Sequence, residues 1–160
     1  MASRTSPART YSLDIRVGDG QRTDGSAVHD PVARGRALIG VRFRPQGRSA
    51  EHGLDCIGVV AAAFGLPPSE VPADYRLRGG NAQRIESALR ALGFAQVDHG
   101  PRAGDLVIME AGPRQLHLAL RTEEGVLHAD AGLGFVVERP GEPPWLVLST
   151  WRHQPVTRKE

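Results

Sequence analysis

The sequence predicts an α+β fold in which N-terminal helices pack on a C-terminal antiparallel sheet of about five strands. Apolar residues recur at helical spacing before Gly93, whereas after Gly93 they alternate with a period of two. Helices first and a run of strands afterwards are typical of α+β proteins. At 160 residues the chain is the size of one domain, long enough to bury a substantial core.

We expect a single domain at residues 30–152, preceded by a flexible arm of residues 1–29 and followed by a polar tail of residues 153–160. The arm is rich in Ser, Thr, Arg, Gly and Asp and offers few apolar residues for a core. Its start lacks the apolar core of a signal peptide, and no stretch approaches the ~18 apolar residues of a membrane span. These features predict synthesis in the cytoplasm without a signal peptide and no membrane span.

The charge pattern argues against nucleic acid as a partner. The net charge is only +2, and Lys159 is the single lysine among twenty basic residues. Few aromatic residues interleave with the basic run of Arg34, Arg36, Arg42, Arg44 and Arg48, so a solvated face is favoured over a surface that binds phosphates or carboxylates. The only cysteine, Cys56, excludes an internal disulfide and any zinc site built from several thiolates.

Capping residues and apolar spacing predict three helices. Asp30 followed by Pro31 opens a helix that Gly40 closes, and we expect this helix to pack against the one that carries Cys56. Residues 55–65 form that second helix, with an apolar run stopped by glycine, and residues 81–93 form an amphipathic third. The segment between the first two helices is predicted to be a loop that passes near Cys56.

Alternating apolar residues separated by Gly, Pro and Glu-Glu-Gly turns predict the strands. The five predicted strands are residues 105–109, 115–121, 125–129, 134–138 and 145–151.

Cys56 is placed where a thiol can become a nucleophile. Asp55 precedes it as a predicted cap, so Cys56 falls in the first helical turn, where free N–H groups and the helix dipole favour the thiolate. We therefore expect an exposed sulfur with a lowered pKa. A lone cysteine is also common as a small buried apolar residue, and only catalytic partners elsewhere would decide between the two interpretations.

Two histidines are candidate partners for this thiol. His117 and His128 lie on consecutive predicted strands joined by a short turn, so they can be neighbours across a hairpin. A cysteine nucleophile needs a base within hydrogen-bond reach and a third group that orients the base. Asp130 could replace His128 as the orienting group if the strand is bulged.

Five sequence blocks in order resemble those of the NlpC/P60 peptidoglycan cysteine peptidases, which are papain-like in fold. The resemblance covers roughly residues 31 to 151. The blocks are residues 37–44, residues 53–58 with the sequence Gly-Leu-Asp-Cys-Ile-Gly, residues 104–108, residues 117–120 and residues 127–129.

The resemblance implies roles for individual residues. It implies that Cys56 attacks the peptide carbonyl, that His117 acts as general base and acid, and that His128 orients His117. It also implies that Asp55 helps to hold the amino end of the substrate. Phe43 stands where the family commonly has a tyrosine near the oxyanion, and Arg44 of the same block, with Arg42 and Arg48, could meet carboxylates of the substrate.

By this resemblance the protein is a cysteine endopeptidase that hydrolyses stem peptides of bacterial peptidoglycan, at the D-glutamyl–diamino acid bond, without a metal or other cofactor. The form of the first block and the lack of a signal peptide look most like peptidases encoded among phage-tail genes, which implies delivery in a phage-like tail particle and contact with tail proteins. The alternative is a catalytically weak or inactive papain-like component of a tail tip. Phe43 and Ile57, which stands where the family often has a serine after the cysteine, favour it slightly. A further alternative makes His117, His128 and Asp130 a metal site.

Overall fold

The computed structural model describes residues 30–71, 79 and 81–154. Within these residues, helices come first and a six-stranded antiparallel sheet follows, so the α+β prediction is confirmed. The helices are α1 (Pro31–Arg36), α2 (Cys56–Phe64) and α3 (Ala82–Ala91). The strands are β1 (Arg48–Ser49), β2 (Gly53–Leu54), β3 (Phe94–Gln96), β4 (Leu106–Gly112), β5 (Gln115–Arg121), β6 (Gly125–Asp130), β7 (Phe135–Pro140) and β8 (Leu146–His153).

The sheet has the strand order β3-β8-β4-β5-β6-β7, and β1 pairs separately with β2. All five predicted strands are present, and the sheet has a sixth strand, β3 at its edge, that was not predicted. Its three residues are too few to show alternation, and it is stabilised by pairing of Phe94 with His153 at the end of β8. That pairing also places His153 inside the domain, one residue beyond the predicted boundary. The predicted arm, residues 1–29, and tail residues 155–160 lie outside the described residues.

The helices begin where their capping residues predict. The side chain of Asp30 accepts from the N–H of Val32, and that of Asn81 accepts from the N–H of Gln83. Gly65 ends α2 in the left-handed conformation, at a φ of 63°, which glycine adopts without a steric penalty. The first helix stops at Arg36, before the predicted stop at Gly40, and it packs against α2 as expected.

The core lies on both faces of the sheet. On one face, α2 and α3 cover a cluster that contains Cys56, Leu118 and Trp151. Further along the same face, Leu54 and Val59 pack with apolar residues of β5, β6 and β7. On the opposite face, a smaller cluster of Val107, Met109, Ala119 and Val126 is covered by Trp145 and Val147.

Strands β5 and β6 are paired only near the turn that joins them. Their partners are Leu120 with Leu127 and Arg121 with Val126. By contrast, β4 with β5 and β6 with β7 each form six cross-strand residue pairs. The sheet therefore opens between β5 and β6 toward His117 and His128, next to the start of α2, which packs against both strands.

The segment 40–43 covers the start of the outer edge of β7. Gly40 and Phe43 donate their backbone N–H groups to the carbonyl oxygens of Val136 and Gly134, and the N–H of Val136 donates to Val41 O. The prediction that the whole segment between the first two helices is a loop is wrong in part, because this segment also contains β1 and β2. As predicted, it passes near Cys56, since Phe43 is bridged to Leu54. Among the described helices, none is both long and apolar enough to cross a membrane.

Candidate active site

The start of α2 is fixed by the carboxylate of Asp55. Its Oδ1 accepts from the N–H of Gly58 at 2.8 Å and from Nη1 of Arg48 at 2.6 Å, and its Oδ2 accepts from the N–H of Gln46 at 3.0 Å. Asp55 is 7% exposed, so these donors compensate the cost of burying its charge. The network holds Cys56 at the first helical position and ties it to the loop that precedes it. A substrate-binding role for Asp55 stays a prediction, and both of its oxygens already accept internal hydrogen bonds.

Cys56 occupies the predicted first turn, but the prediction of an exposed sulfur is wrong. The residue is 2% exposed and belongs to the core cluster with Leu116 and Leu118. Burial raises the pKa of the Cys56 thiol to about 12, although the backbone of Leu118 and of Ile57 lowers it in part. The helix dipole argument fails here because desolvation of the thiolate is the larger effect.

His117 and His128 are joined by a hydrogen bond, which confirms the prediction that they are neighbours. Nε2 of His117 and Nδ1 of His128 are 2.8 Å apart, and the two rings meet edge to face. They are diagonal neighbours, because continuing the register of β5 and β6 would place His117 opposite Asp130. Diagonal neighbours on one face of a sheet are within reach of ring side chains. The catalytic roles of these residues stay predictions.

The carboxylate of Asp130 affects the imidazole rings of His117 and His128 through its charge, and it forms no hydrogen bond with either ring in the structure. Its Oδ1 accepts from the N–H of Leu133 at 2.9 Å, which fixes the turn between β6 and β7. Its charge raises the pKa of His117 and of His128, opposing the desolvation that lowers both. Of the two orienting groups left open by the sequence, His128 is the one that touches His117.

Trp145 covers the histidine pair, and sequence reasoning missed it. Its ring lies 5.2 Å from that of His117 and 5.9 Å from that of His128, with interplanar angles of 80° and 88°. Desolvation by burial is the main cause that lowers the pKa of His117 to about 4, and Trp145 is one of the side chains that bury it. The sequence signal was weak, because Trp145 follows two prolines and reaches the histidines only through the pairing of β8 with β4.

The tautomer of the pair decides whether His117 can accept a proton. If Nε2 of His117 donates to His128, then Nδ1 of His117 is free to act as a base. His128 must then carry its proton on Nε2, which is buried and has no hydrogen-bond partner among the described residues. In the other tautomer the same Nε2 is a buried acceptor without a partner, at a similar cost of about 1–3 kcal/mol, so this atom does not favour one tautomer over the other.

The cysteine approaches the histidines from the other face of β5. His117 and His128 project toward Trp145, whereas Cys56 lies among the residues covered by α2. The thiol is close enough to the backbone of Leu118, the residue after His117, for that backbone to affect its pKa. Within the described residues, no hydrogen bond joins the Cys56 thiol to either imidazole. A catalytic contact therefore requires a rearrangement at the opening between β5 and β6.

The other predicted substrate-binding residues lie beside the start of α2. Phe43 is half-buried against the cluster of Leu54 and Val59, and the N–H of Arg44 donates to Leu54 O at 3.1 Å. The Arg44 side chain is exposed. Of the arginine run, Arg48 is paired with Asp55 and Arg36 with Glu138 and Glu123, so these two are not a free cationic face.

The metal-site alternative is not supported. The described part of the chain holds no group of three or more histidine, cysteine, aspartate or glutamate side chains placed to bind a metal ion. His117, His128 and Asp130 therefore do not form the ligand set that this alternative requires. What the site does offer is a thiol at a helix start on one face of β5 and a hydrogen-bonded imidazole pair on the other face, the groups that nucleophilic acyl transfer uses.

Comparison with known proteins identifies the fold. No family model matches the sequence, and no curated protein matches it closely enough to count as a relative. The peptidoglycan hydrolase RipB from Mycobacterium tuberculosis superposes with a TM-score of 0.52 at 22% identity, over 79% of this chain and 64% of RipB, so this chain spans less than two thirds of that structure. The P60 domain of antigen MAP1204 from M. avium subspecies paratuberculosis gives 0.53 at 21% identity, over 79% of this chain and 94% of that domain. These likenesses confirm the resemblance at the level of structure: the chain has the papain-like α+β fold of the NlpC/P60 domains.

Proposed function

We propose that the protein is a cysteine peptidase that hydrolyses stem peptides of bacterial peptidoglycan. The observation that carries this proposal is the hydrogen-bonded pair of His117 and His128 at the opening of the sheet. The start of α2, which carries Cys56, lies next to this opening. The fold supports it, because RipB, a solved structure with the same fold, is described as a peptidoglycan hydrolase. The five sequence blocks point to the same chemistry.

The proposed reaction proceeds through an acyl-enzyme. The thiol proton of Cys56 passes to His117 while sulfur bonds to the substrate carbonyl carbon, and His117 then protonates the departing amine. Water next gives a proton to His117 and attacks the thioester, which releases the acid product and restores the thiol. His128 holds the His117 ring throughout. Backbone N–H groups at the start of α2 are the available donors for the oxyanion.

In this site the Cys56 thiol must lose its proton to His117 while its sulfur attacks the substrate carbonyl. With a Cys56 pKa of about 12 and a His117 pKa of about 4, thiol and imidazole are both neutral at pH 7. A preformed thiolate–imidazolium pair is therefore absent in the resting conformation. We propose that substrate entry between β5 and β6 brings sulfur and imidazole into contact, and that His117 removes the proton during bond formation.

The finer assignment follows the sequence resemblance. We propose the D-glutamyl–diamino acid bond as the point of cleavage, Asp55, Phe43 and Arg44 as substrate contacts, and delivery to the wall in a phage-like tail particle. Exposed Arg44 beside the start of α2 supports a substrate that carries carboxylates.

Mass spectrometry of digested peptidoglycan tests the activity and the bond together. Wild-type protein is expected to release peptides with a new amino terminus at the diamino acid, and Cys56→Ala is expected to release none. His99→Gln, which changes an exposed histidine outside the site, serves as the control and should match wild type. Identical digests from wild type and Cys56→Ala would overturn the proposal.

One observation favours a second candidate function, a structural component of a tail tip that keeps the fold without the activity. Cys56 is buried and its thiol is stabilised in the neutral form, as expected of a structural cysteine. Stable incorporation of the protein into a tail particle, together with no Cys56-dependent product from peptidoglycan, would favour this function. Incorporation that is accompanied by such a product would exclude it as the sole role.

A further inference from the structure

A cavity of about 310 Å³ lies at the far end of α2 from Cys56. It is bounded by the start of α1, the end of α2, the turn at residues 102–105 and the end of β8. With a rise of about 1.5 Å per residue, the length of α2 places Phe64 roughly 12 Å from Cys56 along the helix axis. The cavity is therefore separate from the candidate active site.

Three arginines line this cavity, and one of them is fixed in place. Arg152 donates from Nε and Nη2 to the two oxygens of Asp105, both at 2.8 Å, and Asp105 is 1% exposed. The backbone N–H of Arg102 donates to the same carboxylate at 2.8 Å. One buried carboxylate thus organises both the Arg152 guanidinium and the turn that carries Arg102, which gives the cavity a preformed wall.

The other two guanidinium groups are available to a ligand. Arg34 and Arg102 are exposed, and neither has an ion-pair partner among the described residues. Of the two carboxylates in the lining, Asp105 is paired with Arg152, and Asp30 accepts from the N–H of Val32. The three arginines outnumber the two carboxylates, so the cavity attracts anions.

The opposite wall of the cavity is aromatic. The rings of Phe64 and His153 lie 5.4 Å apart, and both contact Phe94. Burial lowers the pKa of His153, so this ring adds no charge at pH 7. A phosphate ion alone would leave much of the volume empty, whereas a small ring next to the phosphate would reach the aromatic wall.

From this juxtaposition we propose that the cavity binds a phosphorylated small molecule such as a sugar phosphate. Arg34 and Arg102 contact the phosphate oxygens, for which the planar guanidinium group is well suited, and Phe64 and His153 contact the sugar ring. This site is independent of peptidase activity.

A competing role for Arg34 is to neutralise the end of α2. A Cβ on Gly65 would lie 2.5 Å from Nη1 of Arg34, so the guanidinium stands beside the helix C-terminus, where a positive charge is favourable. That role predicts that Arg34→Gln changes thermal stability without changing ligand affinity. Binding and melting therefore have to be measured on the same variants.

Isothermal titration calorimetry of the full chain with glucose 6-phosphate tests the proposal, with inorganic phosphate and glucose as separate arms. We expect glucose 6-phosphate to bind more tightly than inorganic phosphate, and glucose not to bind. Arg34→Gln and Arg102→Gln should each weaken binding by about tenfold or more, the value of a charge-assisted hydrogen bond. Arg42→Gln, which removes an exposed arginine outside the cavity, should change affinity little, and Cys56→Ala should leave it unchanged.

Three outcomes would overturn the proposal. They are no binding of glucose 6-phosphate at millimolar concentration, equal affinity for glucose 6-phosphate and inorganic phosphate, and an affinity loss in Arg42→Gln as large as in Arg34→Gln. An Arg34→Gln variant that melts at a lower temperature but binds as wild type would assign Arg34 to the helix end alone.

Discussion

Burial of single side chains sets the chemistry of the candidate site. Cys56 and His117 are both shifted toward their neutral forms by desolvation, the thiol upward and the imidazole downward. The shifts widen the gap between the two pKa values, so an ion pair is less favourable here than in water. A site built this way is protected from unspecific reaction while it is closed.

Alkylation of Cys56 should accordingly be slow. At pH 7 the fraction of thiolate in the folded protein is far below that of a free thiol, so we expect iodoacetamide to react more slowly with Cys56 than with a small thiol such as glutathione. The rate should rise as the pH approaches 12 and also rise when the protein is unfolded in guanidinium. Mass spectrometry of the labelled protein measures the rate, and rapid labelling at pH 6 would contradict the neutral resting thiol.

The lowered pKa of His117 makes stability depend on pH. The folded-state pKa is about 4 and the ordinary value is 6.5, so the neutral form stabilises the fold above pH 6.5, and this contribution is lost as pH falls through 4. At about 1.4 kcal/mol per pKa unit, this contribution to the free energy of unfolding is up to about 3 kcal/mol. Urea unfolding at pH 7 and pH 4 measures the loss.

His117→Gln is the informative variant for this effect. It should have a smaller difference in unfolding free energy between pH 7 and pH 4 than wild type, because the group that must be protonated is gone. His99→Gln removes an exposed histidine and should keep the wild-type difference. If His117→Gln and wild type lose the same free energy of unfolding between pH 7 and pH 4, then the lowered pKa of His117 is not the cause of the pH dependence.

Trp145 should control the titration of the histidine pair. Replacing it with leucine removes part of the cover over His117 and His128, so water enters and the pKa of His117 rises toward 6.5. Titration of the imidazole signals by NMR measures this change. Leu146→Ala, at a neighbouring residue that is 68% exposed, should leave the titration unchanged. An unaltered His117 titration in Trp145→Leu would show that Trp145 does not cause the desolvation.

At the scale of elements, α2 is held by a close approach to the loop before it. A Cβ on Gly58 would overlap the carbonyl oxygen of Gly47 and lie 3.0 Å from Leu54 Cδ2. Glycine is therefore needed in the first turns of α2, although it is a poor helix former.

Gly58→Ala should destabilise the protein despite the better helix propensity of alanine. We expect a loss of roughly 2 kcal/mol or more in the free energy of unfolding, typical of overpacking a core position. Ala62→Gly, at a half-buried position of the same helix, is the matched control and should lose about 1 kcal/mol through propensity alone. Urea unfolding of both variants measures the difference, and a stabilised Gly58→Ala would disprove the steric argument.

A helix or strand could be predicted from the sequence when the interactions that stabilise it are between residues close together in the chain. The caps at Asp30, Asp55 and Asn81 use side chains that bond within three residues, so the sequence was sufficient to place the three helix starts. Strand β3 was missed because its stability comes from β8, more than fifty residues away.

The candidate site shows the same division. The contact of His117 with His128 could be predicted because eleven residues and one turn separate them. The burial of Cys56 and the cover by Trp145 could not, because both depend on how α2 and β8 pack on distant strands. Local patterns thus placed the reactive groups, while long-range packing set their protonation states.

On the scale of the whole molecule, the two edge strands of the sheet are protected in different ways from pairing with another chain. One edge strand, β3, has only three residues, and the other, β7, is bonded to the segment 40–43. Short or covered edges offer few free backbone groups to a neighbouring chain. The covering segment also carries Phe43 and continues toward the start of α2.

That covering segment makes self-assembly by strand addition unfavourable at β7. A second copy would first have to displace the two backbone hydrogen bonds that residues 40–43 form with Val136 and the one that they form with Gly134, just before β7. Crowded copies of the chain would therefore not join their sheets at this end of β7, and contacts between copies there would have to form through side chains.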